Sequence, residues 1–224
     1  TSHGSVPSSA RVAFAAASTG AVFGNSGQDC CARSRVLVQR DAYDEFVSLF
    51  AKATAELSVG DPLDPGTSMG PLVSAQHLDK VGSFLDPTLD IVTPVPAPRG
   101  PGYWMGPHLV LAPPRDHRVV REEIFGPIVA VLPFDDEQDA IALANDTIFG
   151  LSGSVWTRDV GRAVRVARGI ETGSISVNSS TSVRIQTPFG GGKSHTLASL
   201  LQAASSSPGW AVNSAWPRWT ATPS

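Results

Sequence analysis

The chain has 224 residues and a net charge of −3, from 17 Lys plus Arg against 20 Asp plus Glu. Its 42% hydrophobic and 17% charged residues suit a packed globular core and exclude a wholly disordered chain. Lacking a basic stripe and any run of the ~18 apolar residues that span a bilayer, it is expected to bind neither nucleic acid nor membrane.

Residues 1–10, small and polar, read as disordered. Residues 11–24, RVAFAAASTGAVFG, predict an Ala-rich helix despite Gly20. The loop NSGQDCC follows, then a short strand at 34–39 with the apolar run Val36-Leu37-Val38. Asp41 is the expected N-cap of a helix in which Tyr43, Phe46, Val47, Leu49, Phe50 and Ala53 keep helical spacing. That helix stops before Gly60-Asp61-Pro62, and a turn-rich loop leads to Ser74, the expected cap of a helix to about Phe84. Five prolines make 86–102 an irregular surface stretch with at most a short strand at Asp90-Ile91-Val92.

Downstream, strands at 108–112, 127–134, 152–156 and 173–178 alternate with helices at 135–145 and 158–169. This alternation predicts an α/β fold with a largely parallel sheet flanked by helices. The stretch 194–224 holds three of the five tryptophans and no acidic residue; beyond a short helix near Leu197–Ala204 it reads as poorly structured.

The two cysteines, Cys30 and Cys31, are neighbours, which rules out an ordinary structural staple and points to a reducing, cytoplasmic compartment. A cysteine in a Gly-containing loop after a helix can be exposed, with its thiolate favoured by nearby amides. The alternative on spacing alone is a small buried hydrophobe. His3, His77, His108, His117 and His195 show no ligand spacing, so no metal site is expected. Gly192-Lys193-Ser194 could close a phosphate-binding loop, but that pattern needs a glycine where Thr187 stands, and Pro188 removes an amide donor.

The segment Phe23–Cys30, FGNSGQDC, resembles the F-x-N-x-G-Q-x-C active-site segment of the aldehyde dehydrogenases. Further blocks resemble that family in the same order: VGDPLDPGTSMGPLVS, GYWMGPHLVL (with His108 where Thr is usual), REEIFGPIVAVLPFDDEQDAIALANDTIFGLSGSVWT, GSISVN and TPFGGGK. The resemblance implies a catalytic domain over 11–193, with 1–10 and 194–224 outside it. It implies a small-molecule aldehyde as substrate, NAD or NADP as cofactor, and oxidation to a carboxylic acid through a thiohemiacetal and a thioester. Cys30 is then the nucleophile, Glu123 the partner of the nicotinamide ribose and Phe125 a neighbour of the nicotinamide. Cys31, Asn178 and Ser179 fall where the family lines its substrate tunnel, although a polar strand end explains Asn178 and Ser179 equally well.

The family's Rossmann domain, its E-L-G-G-K general base and its oxyanion asparagine are expected upstream of the cysteine, and neither motif occurs in this sequence. The loss of resemblance at both ends is the pattern a reading-frame shift produces. The family's subunit-joining strand is not recognisable either. The alternative is therefore an inactive remnant or interaction module that lacks base and cofactor domain, with little or no dehydrogenase activity.

Overall fold

A computed structural model of the chain describes residues 8–179 and 211–215. Among these, helix α1 spans Ser8–Phe23, and strand β1, Arg35–Gln39, leads through a 3-10 turn into α2, Tyr43–Ala55. Helix α3 (Ala75–Gly82), strands β2 (Asp90–Val92) and β3 (His108–Leu111), and the short α4 (Arg118–Arg121) come next. The chain then alternates β4 (Ile128–Phe134), α5 (Glu137–Asn145), β5 (Ser152–Trp156), α6 (Val160–Gly169) and β6 (Ser174–Val177), and β7 covers Ala211–Ala215.

The strands form one sheet in the order β2-β3-β4-β1-β7-β5-β6. β3, β4 and β1 run parallel, as do β5 and β6, while β2 and β7 are antiparallel to their neighbours. The mostly parallel α/β sheet expected from the sequence is the one observed. Strand alternation divides the core in two. From β4, Ile128, Ala130, Leu132 and Phe134 face a cluster built with α3 to α6, through Val81, Val120, Leu143 and Val166. Val129 and Val131 face the other way, with Val36 and Val38, onto α1 and α2. There Phe14 meets Phe46 at 4.8 Å and Phe23 meets Phe50 at 6.1 Å between ring centres.

Helix ends follow local chemistry. The side chains of Ser74, Asp136 and Asp159 accept from the backbone N–H of His77, Asp139 and Arg162. At the other end of α5, the buried Arg35 donates to the carbonyls of Leu143 and Ala144, both at 3.0 Å.

Three expectations need correction, and one element was not foreseen. Residues 8–10, expected to be disordered, begin α1. Asp41 does not cap α2, because the chain makes a 3-10 turn over Arg40–Ala42 and Ala42 takes the cap position. Arg118–Arg121 forms a helical turn capped by His117, which was not anticipated. Within 194–224, Ala211–Ala215 is a strand paired on both sides, with β1 and with β5. A run of small residues carries a weak intrinsic strand signal, and the pairing supplies the rest. The helix expected near Leu197 and the loop around Lys193 lie outside the described residues.

Candidate active site

The cysteine loop is built by three consecutive residues in the left-handed region. Asn25, Ser26 and Gly27 have φ of 51°, 57° and 69°. Two non-glycine residues in that region are costly unless side chains hold them, and here they do. Asn25 Nδ2 donates to the Gln28 carbonyl at 2.9 Å. Ser26 Oγ donates to the Gly70 carbonyl at 2.7 Å. Gln28 clamps the same distant loop, with Nε2 donating to the Pro71 carbonyl at 3.3 Å and Oε1 accepting from Val73 N at 3.0 Å. The polar residues of FGNSGQDC thus position the turn, and the loop after α2 is its anchor. Ser26→Ala, which leaves a part-buried carbonyl unpaired, is expected to lower stability by about 1–3 kcal/mol in a urea titration.

The turn delivers Cys30 to the surface, with Cys31 half-buried behind it. Their sulfurs stand 4.0 Å apart. The Asp29 carboxylate accepts from Cys31 N at 2.9 Å, and Arg33 Nη1 donates to the Cys31 carbonyl at 3.1 Å. Partial desolvation, then the Cys31 thiol and the Asp29 carboxylate, push the Cys30 thiol above its ordinary range. This corrects the expectation that the loop's amides favour the thiolate: the nearest groups are a second thiol and an anion.

Beside the turn lies a narrow cleft lined by Gly27, Asp29, Glu123, Phe125, Thr147 and Phe149, among others. The two loops that form it touch through glycines. A β-carbon on Gly27 would collide with the Gly126 carbonyl, and one on Gly126 would collide with Val81 of α3. Phe125 sits at φ 57°, and the ring nitrogen Nε2 of His77 lies 2.7 Å from its carbonyl oxygen, with the two rings edge to face. Desolvation raises the Glu123 carboxyl to about 6, against a smaller opposing pull from Lys80.

Glu123 and Phe125 line the cleft, and Asp29, the residue before Cys30, forms part of its wall, while Cys30 itself is not among the lining residues. Asn178 does not join them among the described contacts. Its amide bonds the backbone of Thr157 twice, through Oδ1 and Nδ2, both at 2.9 Å, and so ties the end of β6 to that of β5. Ser179 follows it, half-buried. His108, where threonine is usual, opens β3 with Nδ1 2.7 Å from the Gly106 carbonyl oxygen. Sequence reasoning missed Gly27, Gly126, Asp29 and His77 as site-shaping residues; the two glycines already stood inside the blocks that carried the resemblance.

Residues 7–200 match the aldehyde dehydrogenase family. The chain belongs to that family. The match runs past both ends of the 11–193 stretch. The chain is 39% identical over 186 residues to the 5-carboxymethyl-2-hydroxymuconate semialdehyde dehydrogenase of Escherichia coli, covering 78% of this chain and 40% of that protein. It is 37% identical to human 4-trimethylaminobutyraldehyde dehydrogenase, covering 76% and 37%. Among solved structures, HpcC from Thermus thermophilus superposes with a TM-score of 0.74 at 32% identity, covering 80% of this chain and 37% of that one. Betaine aldehyde dehydrogenase from Staphylococcus aureus, in complex with NAD+, gives 0.69 at 32% identity, covering 75% and 35%. The chain thus spans about two fifths of the length of the curated aldehyde dehydrogenases it matches. No described helix is long and apolar enough to cross a membrane.

Proposed function

We propose that this aldehyde dehydrogenase chain carries the nucleophile of an NAD(P)-dependent oxidation of a small aldehyde to its acid, with Cys30 as that nucleophile. The observation that carries the reading is the exposed Cys30 thiol, set by a left-handed turn that packs glycine to glycine against the loop of Glu123 and Phe125. The thiolate adds to the aldehyde carbon, forming the C–S bond of a thiohemiacetal. A nicotinamide dinucleotide, when bound, supplies the acceptor for the hydride that leaves that carbon. The thioester on Cys30 is then hydrolysed, which breaks the C–S bond and frees the thiol.

The polar and aromatic groups lining the cleft suit the nicotinamide end of such a cofactor. The part-buried Glu123 carboxylate can accept both hydroxyls of a ribose, and Phe125 offers an aromatic face beside it. Cys31 stands next to the nucleophile and lines the aldehyde's approach, and we place Asn178 and Ser179 further out along it. The catalytic unit is assigned to 11–193. Two free thiols support a reducing, cytoplasmic location.

The test is protection and turnover together. An aldehyde is expected to slow iodoacetamide alkylation of Cys30, and aldehyde with NAD+ or NADP+ to yield reduced nicotinamide. If no aldehyde in a broad panel does either, the reading fails.

The Glu123 role has a pH signature. Its carboxyl titrates near 6 in the folded chain, above its ordinary 4.5. The folded state therefore binds more protons in that window, and this group's contribution to stability falls as pH rises through it. Ribose recognition runs the opposite way, because it needs the carboxylate: NAD+ affinity is expected to strengthen as pH rises through about 6, and Glu123→Gln to flatten the profile. Isothermal titration below and above that pH checks it.

A further inference from the structure

The five histidines have no ligand spacing, but a different set of donors is contiguous in the chain. One carboxylate oxygen of Asp29 and the sulfurs of Cys30 and Cys31 all lie within 4.8 Å of one another. The geometry points to a chelating site for a soft divalent cation of the zinc and cadmium class, held by both thiolates with the Asp29 carboxylate as third ligand.

Distances decide between a metal and the other fate of a vicinal thiol pair. Two thiolates on a tetrahedral ion with M–S bonds of about 2.3 Å stand ~3.8 Å apart. The observed separation is 4.0 Å, so the pair closes on such an ion with almost no movement. An internal disulfide instead needs S–S near ~2.0 Å and Cα atoms ~4.4–6.8 Å apart, whereas Cα atoms joined by a trans peptide are held at ~3.8 Å. Bond formation would strain the backbone; chelation would not.

The backbone already holds the third ligand in place. Asp29 is tied by its Oδ1 to Cys31 N. Arg33, 3% exposed, is the cation beside the turn, and its Nη1 is engaged by the Cys31 carbonyl rather than by a sulfur. The exposure of Cys30 leaves room for a water as fourth ligand. Ionising both thiols beside Asp29 gathers three negative charges against the single Arg33 guanidinium next to them, and a divalent ion relieves the remaining repulsion. In the binding step two M–S bonds form and both thiol protons pass to solvent, with no electron transferred. Since the ion takes the sulfur assigned to the aldehyde, occupancy reversibly blocks Cys30. That consequence rests on the proposed function; the chelation itself does not.

The experiment is a titration of the full chain with Cd²⁺ in thiol-free buffer, read by sulfur-to-cadmium charge-transfer absorption and by proton release. The expected result is saturation at one equivalent with two protons released. Losing a group that merely supports a metal ligand weakens binding about 10- to 100-fold. Cys30→Ser and Cys31→Ser are therefore each expected to weaken it by more than ~100-fold, and Asp29→Asn, which keeps both thiols, by about 10-fold or more. Failure to saturate at one equivalent, or wild-type affinity in either serine variant, would overturn the proposal. Asp29→Asn with unchanged affinity would remove the carboxylate from the ligand set and overturn the site as stated. Because the readout is the metal–sulfur bond, it is independent of whether Cys30 turns over any aldehyde.

Discussion

Cys30→Ala is expected to reduce NAD(P)-dependent aldehyde oxidation by on the order of 10⁴-fold or more, the scale on which enzymes lose turnover when a covalent nucleophile is removed. No described neighbour replaces it in kind. Cys31 lies one residue on, but it is half-buried, and its backbone N–H and carbonyl are fixed by Asp29 and Arg33, so its sulfur is not free to take the outer position. Mass-mapped alkylation gives a matching result before any turnover: Cys30 takes iodoacetamide first. Because desolvation, then its neighbours, raise its pKa, the rate is expected to climb as pH enters the ordinary thiol range and passes beyond it. Asp29→Asn, which removes the anionic neighbour, shifts that climb to lower pH. Turnover that survives Cys30→Ala, or label that lands first on Cys31, would transfer the role to the second cysteine.

Gly27→Ala is expected to cost about 2–4 kcal/mol. Alanine at φ +69° is strained by roughly 1 kcal/mol. The added methyl also strikes the Gly126 carbonyl, and that backbone is pinned from behind by Val81. Overpacking against atoms that cannot withdraw costs about 1–3 kcal/mol more. Gly20→Ala is the matched control. Gly20 lies inside α1 with nothing within 4 Å of its would-be methyl, so there the substitution is expected to stabilise by roughly 0.5–1 kcal/mol. Urea midpoints of the two variants should therefore move in opposite directions. If Gly27→Ala proves as mild as Gly20→Ala, the two loops of the cleft do not meet as described.

Much of this architecture was readable because its elements are locally self-consistent. Ser74, Asp136 and Asp159 sit at helix starts, where their side chains accept backbone N–H groups, and β4 shows its pattern as an unbroken apolar run buried on both faces. What was not readable depends on distant pairing. Ala211–Ala215 has little strand character of its own, and only the edges of β1 and β5 make it a strand. The cleft was half-readable. The blocks that hold Cys30, Glu123 and Phe125 stand out in the sequence, but their convergence rests on two methyl-free contacts and on a hydrogen bond from Ser26 to Gly70, which no local pattern reveals. The raised Cys30 pKa was also hidden, since it follows from which groups the turn brings beside the sulfur.

The place of β7 bears on how the molecule is made. Among the described residues, Leu37 and Val155 reach each other's half of the sheet only through Val212, a residue synthesised long after both. During translation the two halves must wait on the ribosome with bare strand edges until that stretch emerges. Contacts this far apart in sequence form slowly, and edges left open invite pairing with other nascent chains. Yield in a cell should therefore respond more to chaperone supply and growth temperature than the burial of the finished core would suggest.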